Sequence, residues 1–276
     1  MTARALLAGP GALRTLTAGG EGRLEVALGA GGYVRLAEDR WLLVAGPRAP
    51  IGPLSLLVAG LGAESSVPGW PARRRGSDLV LGPLRIELAD LPTPPPRPAP
   101  SGAAVEAGPA LGAALGVIPV PPDALRPGID ALARGDLPGA VAQLAGRGEG
   151  LTPAGDDVLA GYAAWSWTAN RPVALTRLAA GRASSLGLAY LGCAERGEIA
   201  EPAAAVLAAV RSGEPARAAR RARALDRWGA SSGWALLWGM AAGSGREVLS
   251  RELVERPLGA HGGGADLGLD RLQVEA

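Results

Sequence analysis

The chain has 276 residues, 48% of them hydrophobic, and a formal net charge of +2, enough for one large domain or two modest ones around a substantial core. All 28 basic residues are Arg, which excludes a Schiff-base lysine, a Walker-type phosphate lysine and a lysine general base. A single His, His261, and a single Cys, Cys193, exclude a His-centred triad, a multi-histidine metal site and an intrachain disulfide.

Along the chain, the opening stretch Met1–Leu16 carries Arg4, Pro10, Gly11 and Arg14, which interrupt any continuous apolar export signal. Short β-type runs follow, separated by glycine and proline: Arg23–Leu28, Tyr33–Leu36, Arg40–Ala45, Leu54–Ala59, Asp78–Leu81 and Leu84–Leu88. Arg73-Arg74-Arg75 reads as a loop. Residues 1–91 are therefore expected to form a small, mainly antiparallel β domain, barrel or sandwich-like. The proline run across residues 92–102 reads as an extended linker.

Residues 103–257 take on helical character, giving an α+β chain whose larger part is all-α. Helices are expected over Asp123–Arg134, Leu137–Leu144, Gly155–Ala169, Val173–Gly181, Ser184–Arg196, Ala203–Arg211, Pro215–Trp228 and Ser232–Ala242, with a last one near Arg246–Val254. The arginines of the Pro215–Trp228 helix read as a solvated face, since no stacking aromatics or recognition motif accompany them. Residues 258–276 form a glycine-rich tail. The longest uncharged apolar run, Trp234–Gly243, falls far short of the roughly 20 residues that cross a bilayer. The reading is a cytoplasmic protein with neither a membrane nor a nucleic-acid partner.

The most informative segment is Gly148-Glu149-Gly150-Leu151-Thr152-Pro153-Ala154-Gly155-Asp156-Asp157, a glycine-rich loop running into an apolar helix. Thr152 suits the N-cap and Pro153 the first helical position. Free amides at such an end attract anions, yet two aspartates in the first turn repel them. The pair therefore either complements the helix dipole or holds a proton-bearing group or cation beside the anion. Asp157 shares its face with Ala160, Gly161 and Ala164, which makes it the better candidate for a buried, perturbed carboxylate. A second segment, Ser231-Ser232-Gly233, opens a helix whose Ala235, Gly239 and Ala242 also form a small-residue face. If the two faces pack in parallel, their polar starts meet in one pocket. Candidate catalytic residues are Asp156 and Asp157; candidate ligand-binding residues are Gly150, Thr152, Gly155, Ser231, Ser232 and Gly233.

Gly150-Leu151-Thr152-Pro153-Ala154-Gly155-Asp156-Asp157-Val158-Leu159-Ala160-Gly161 closely resembles the signature of the AllH-type family, formerly a domain of unknown function. Gly229-Ala230-Ser231-Ser232-Gly233-Trp234 resembles its second motif, and Arg182-Ala183-Ser184-Ser185 falls where the family has a polar helix start. Ala154 departs from the serine expected there. The resemblance implies a subunit of an oxamate carbamoyltransferase complex, which converts oxalurate and phosphate to oxamate and carbamoyl phosphate in allantoin catabolism. It implies an FdrA-type partner and another small subunit, with Mg²⁺ as a candidate ion on phosphate. The rival reading is a non-catalytic assembly subunit whose motifs serve helix packing.

Overall fold

The computed structural model describes residues 1–62, 66–89, 91–92, 108–225 and 232–244. Most of the proline-rich linker, Ser231, the helix expected at Arg246–Val254 and the glycine-rich tail lie outside the described residues.

Eight strands form the N-terminal part: β1 (Thr2–Ala8), β2 (Glu21–Leu28), β3 (Gly31–Leu36), β4 (Arg40–Ala45), β5 (Ser55–Ala59), β6 (Pro71–Arg75), β7 (Asp78–Leu81) and β8 (Leu84–Glu87). They close into a single barrel in the order β1-β5-β4-β3-β2-β6-β7-β8. Of the two expected forms, barrel and sandwich, the barrel is the one found, and the expected mainly antiparallel sheet is corrected to a mixed one. The sheet is one closed, mixed barrel, because β1 pairs with β8 and β4 with β5 in parallel. Closure leaves no free sheet edge.

Strand alternation fills the interior. Leu84 and Ile86 point inward while Arg85 and Glu87 point out, and Leu24, Leu42, Leu56, Leu79 and Leu81 are fully buried beside them. Leucine, valine and alanine thus supply the inner volume that Phe does not. Gly76 and Gly82, both at positive φ, lie within the two-residue connections that turn β6 into β7 and β7 into β8. The Arg73–Arg75 segment is therefore a strand rather than a loop. β1 also escapes sequence reading, because Thr2–Ala8 consists largely of helix formers and is held extended by β5 and β8 on its two sides. It leads directly into α1 (Pro10–Ala18), which lays Gly11, Ala12, Thr15 and Leu16 inward.

The helical part comprises α2 (Gly108–Leu115), α3 (Arg126–Ala133), α4 (Leu137–Leu144), α5 (Ala154–Thr168), α6 (Leu175–Ala179), α7 (Ser185–Ala194), α8 (Glu201–Arg211), α9 (Pro215–Ala224) and α10 (Ser232–Gly243). Among them α2 goes unforeseen in the sequence. Arg217, Arg220, Arg221 and Arg223 of α9 are exposed, while Ala218 and Ala222 face the core. α5 and α10 are buried on nearly every face, as helices apolar all round must be.

Their contact is backbone on backbone. A Cβ placed on Gly161 would lie 2.0 Å from the Leu236 carbonyl oxygen, and one on Gly239 would lie 1.9 Å from that of Val158. Contacts advance together along both helices, from Thr152 with Ser232 through Gly161 with Leu236 to Trp165 with Gly243, so the helices run parallel. The barrel packs onto this bundle through Trp41 and Leu54 against Leu186 and Cys193. Arg14 of α1 adds an ion pair to the buried Glu198, with Nη–Oε distances of 2.7 and 2.5 Å.

Gly161→Ala should force α5 and α10 apart and cost at least about 2 kcal/mol, the scale of overpacking in a dense core. Gly112→Ala, in a helix where an added Cβ meets nothing within 4 Å, should be neutral or slightly stabilising. Urea unfolding of both variants checks this; equal midpoints for the two would contradict the close helix contact.

Candidate functional site

The two parallel helices begin side by side, and the barrel closes over them. A cavity of about 370 Å³ lies at the junction, lined by Thr152, Asp157 and Ala160 around α5, Ser232 and Leu236 of α10, Tyr190 of α7, Glu198, and barrel residues including Tyr33 and Ser55. Its remaining walls are largely apolar, with Leu28, Leu43, Pro50, Pro53, Leu151 and Ile199 among them. Among the described residues that line it there is no Arg or His.

Local structure explains how the motif reaches this position. Leu144 ends α4, and the following loop passes through positive φ at Gly146, Gly148 and Gly150 before Pro153. Pro153 is extended, with φ −51° and ψ 141°, and serves as the N-cap of α5. This displaces the expected Thr152 cap by one residue. The Pro153 carbonyl accepts from the amides of Asp156 (2.8 Å) and Asp157 (3.3 Å), and the Gly155 amide donates to the Arg147 carbonyl at 2.9 Å. The amides of Gly155, Asp156 and Asp157, which would otherwise be open to an anion, are therefore engaged by the chain itself. Thr152, relieved of capping, places its hydroxyl 3.4 Å from that of Ser232.

The adjacent aspartates have separate tasks, as their angular offset on a helix requires. Asp156 accepts three hydrogen bonds: from the Gly146 amide at 2.7 Å, the Ser184 amide at 2.9 Å and the Ser184 hydroxyl at 2.9 Å. It ties the glycine loop to the start of α7. Ser184 in turn caps α7 by accepting from the Gly187 amide.

Asp157 is only 6% exposed and faces the cavity. Its Oδ2 is enclosed without a hydrogen-bond partner among the described residues. Burial pushes the carboxyl up to about 7; the hydroxyls of Ser232 and Thr152 draw it down, and the neighbouring Asp156 charge pushes it up again. Burial thus outweighs the relief that a helix N-terminus offers a carboxylate. Near neutral pH such a group both accepts and donates protons, the condition for acid–base work.

Of the other sequence candidates, Gly150 is exposed with open space around it, Gly155 packs against the Leu144 carbonyl, and Gly233 packs against Leu225. None of the three lines the cavity. Ser231 is outside the described residues. Among the described residues no three His, Cys, Asp or Glu side chains cluster to hold a metal.

Sequence reading missed the cavity's opposite wall. Tyr33 and Tyr190 join their hydroxyls at 3.0 Å across the junction of barrel and bundle. Burial raises both phenols above their ordinary range, so they stay protonated. Their rarity was the available signal: only three tyrosines occur in the chain, and two meet here. Glu198, whose side chain is fully enclosed, was missed as well.

Residues 144–244 match the family model of the oxamate carbamoyltransferase subunit AllH. The matched segment runs from the end of α4 through α10, and so includes Asp157, Thr152, Tyr190, Glu198 and Ser232 but none of the barrel residues. No curated protein and no solved structure matches the chain significantly. Among the described residues no helix is long and apolar enough to cross a membrane.

Asp157 links proton binding to stability. Its folded value of about 7 exceeds the ordinary 3.8, so between these pH values the folded state holds the proton more tightly than the unfolded chain. Its contribution is fully present below about pH 4, falls as pH rises, and is lost above about 7, a change of at most about 4 kcal/mol. Asp157→Asn should remove that component. Urea unfolding at pH 5 and pH 8 should show the variant gaining on the wild type at the higher pH; a constant difference would refute the assignment.

Proposed function

We propose that this chain is a subunit of an oxamate carbamoyltransferase-like complex and that the cavity at the paired starts of α5 and α10 receives the carbamoyl end of the substrate. One observation carries the reading: the unpartnered Oδ2 of Asp157, enclosed in a largely apolar cavity between the Thr152 and Ser232 hydroxyls. An orphaned buried acceptor calls for a donor. A carbamoyl or ureido group supplies N–H donors on a planar, uncharged head and suits a cavity without cationic lining better than a bare phosphate does. The match of residues 144–244 to the AllH family supports the same assignment.

In this reading Asp157 accepts from the carbamoyl NH₂ and fixes its plane, while Thr152 and Ser232 address the carbamoyl oxygen. Transfer from oxalurate to phosphate forms a bond from a phosphate oxygen to the carbamoyl carbon. It breaks the bond from that carbon to the oxamate nitrogen, which takes up a proton as it leaves. A carboxyl titrating near neutrality is suited to moving such a proton. Asp156 acts through position, holding the glycine loop and the start of α7. An FdrA-type subunit and a further small subunit are the proposed partners, supplying the cationic groups that the anionic ends of the reactants require.

The competing reading, an assembly subunit whose motifs serve packing alone, draws on the structural duties of Gly155, Asp156, Gly161 and Gly239. Ligand-dependent melting separates the two. Oxalurate and oxamate should raise the thermal transition of the purified chain at pH 7, adding about 2.7 kcal/mol of stability at a hundred times Kd. Asp157→Asn should abolish that gain while unfolding cooperatively. A wild type that responds to neither compound would favour packing as the role of the motif, or a site completed only by the partner subunits.

A further inference from the structure

A second concavity lies outside the Asp157 cavity and has the opposite electrostatic character. It is a solvent-open pocket of about 410 Å³ between α1, the start of β4 and the end of α7. Arg14, Arg40 and Arg196 line it, each contributed by a different part of the chain, and among the described residues the one carboxylate in its lining is Asp39. The Oδ1 of Asp39 is already held by the Arg35 guanidinium.

The guanidiniums are fixed from behind. Glu198, fully enclosed, accepts from both terminal nitrogens of Arg14 and lies 3.7 Å from Nε of Arg196. One buried carboxylate thus faces two cations. The pairing with Glu198 raises Arg14 above its ordinary range, so its charge is permanent. Arg40 is anchored by the Gly19 carbonyl at 3.1 Å, and its Nε is enclosed without a hydrogen-bond partner among the described residues. Its ionic contact is Glu38, a side chain 81% exposed and therefore well screened. Guanidiniums held in place suit an oxyanion, which accepts from charged N–H donors. Trp41 and Leu54 add an apolar wall on one side.

We propose that the pocket bounded by Arg14, Arg40 and Arg196 is a binding site for a phosphate group, free or esterified to a small organic molecule. It is distinct from the Asp157 cavity and does not depend on the function assigned there. The two share only Glu198, which lines the cavity on one side and fixes the arginines on the other.

Gly192 offers a direct test. It lines the pocket, and a Cβ there would meet nothing closer than Thr176 Oγ1 at 3.7 Å, with Arg196 Nη1 at 3.9 Å. Gly192→Asp therefore places a carboxylate beside the guanidinium without displacing the fold, and competes with the ligand. Calorimetric titration of the full chain at low salt, with inorganic phosphate and with phenyl phosphate, should show saturable binding. Gly192→Asp and Arg40→Gln should each weaken it at least tenfold, and Asp157→Asn should leave it unchanged. Tighter binding of phenyl phosphate assigns an esterified ligand, and equal or weaker binding assigns free phosphate. The proposal is overturned if neither compound binds saturably, or if binding survives both pocket variants.

Discussion

The rest of the bundle depends on two helices that approach until their backbones touch. Gly161 meets the Leu236 carbonyl and Gly239 meets that of Val158, with no room for a Cβ on either side. Dense packing makes such a contact discrete: a single methyl group has nowhere to go. Because α5 and α10 run parallel through this contact, their first turns arrive at the same level. Thr152, Asp157 and Ser232, up to 80 residues apart in sequence, are thereby brought together at one end.

That juxtaposition explains why two neighbouring aspartates differ so sharply. The loop before α5 must turn back on itself, and Asp156 secures it through three donors from two segments. Asp157, about 100° further around the helix, faces an apolar cavity that provides it with only hydroxyls. One carboxylate is satisfied by the fold, and the other retains an open acceptor where water is largely excluded. The barrel completes this environment, since Tyr33, Leu43, Pro53 and Ser55 form the wall opposite the helices. The barrel is therefore part of the site and more than an appended module.

Glu198 separates two electrostatic regimes. On one side lies a cavity lined by carboxyls, phenols and hydroxyls; on the other lies an open pocket lined by guanidiniums. The ion pair with Arg14 also crosses from the bundle to the barrel. Glu198 is fully enclosed while Arg14 is partly exposed, so removing Arg14 takes from a buried carboxylate the nearer of its two cations. The Arg14–Glu198 contact therefore holds barrel and bundle together while dividing the chemistry on its two faces.

Periodicity and punctuation were sufficient for most local structure. The alternation of Leu84 to Glu87, the span Leu137–Leu144 of α4 and the small-residue rows of α5 and α10 are all visible in the chain, because each depends on residues within a few positions. The loop-to-helix motif was legible for the same reason, and the small-residue face that Asp157 heads marked it as the aspartate to be buried, while the extent of its shift came from the fold. β1 and β6 were not, since Ala-, Leu- and Arg-rich segments become strands only through their neighbours in the barrel. Nor were the parallel β1–β8 and β4–β5 pairings, which arise on closure. The cap at Pro153 rather than Thr152, the engaged amides of α5, and the meeting of Tyr33, Tyr190 and Glu198 were decided by tertiary structure alone. The sequence by itself determined which groups have the chemistry to form a site. Burial and long-range contact decided which remain unpartnered, because desolvation and hydrogen-bond satisfaction depend on the whole fold.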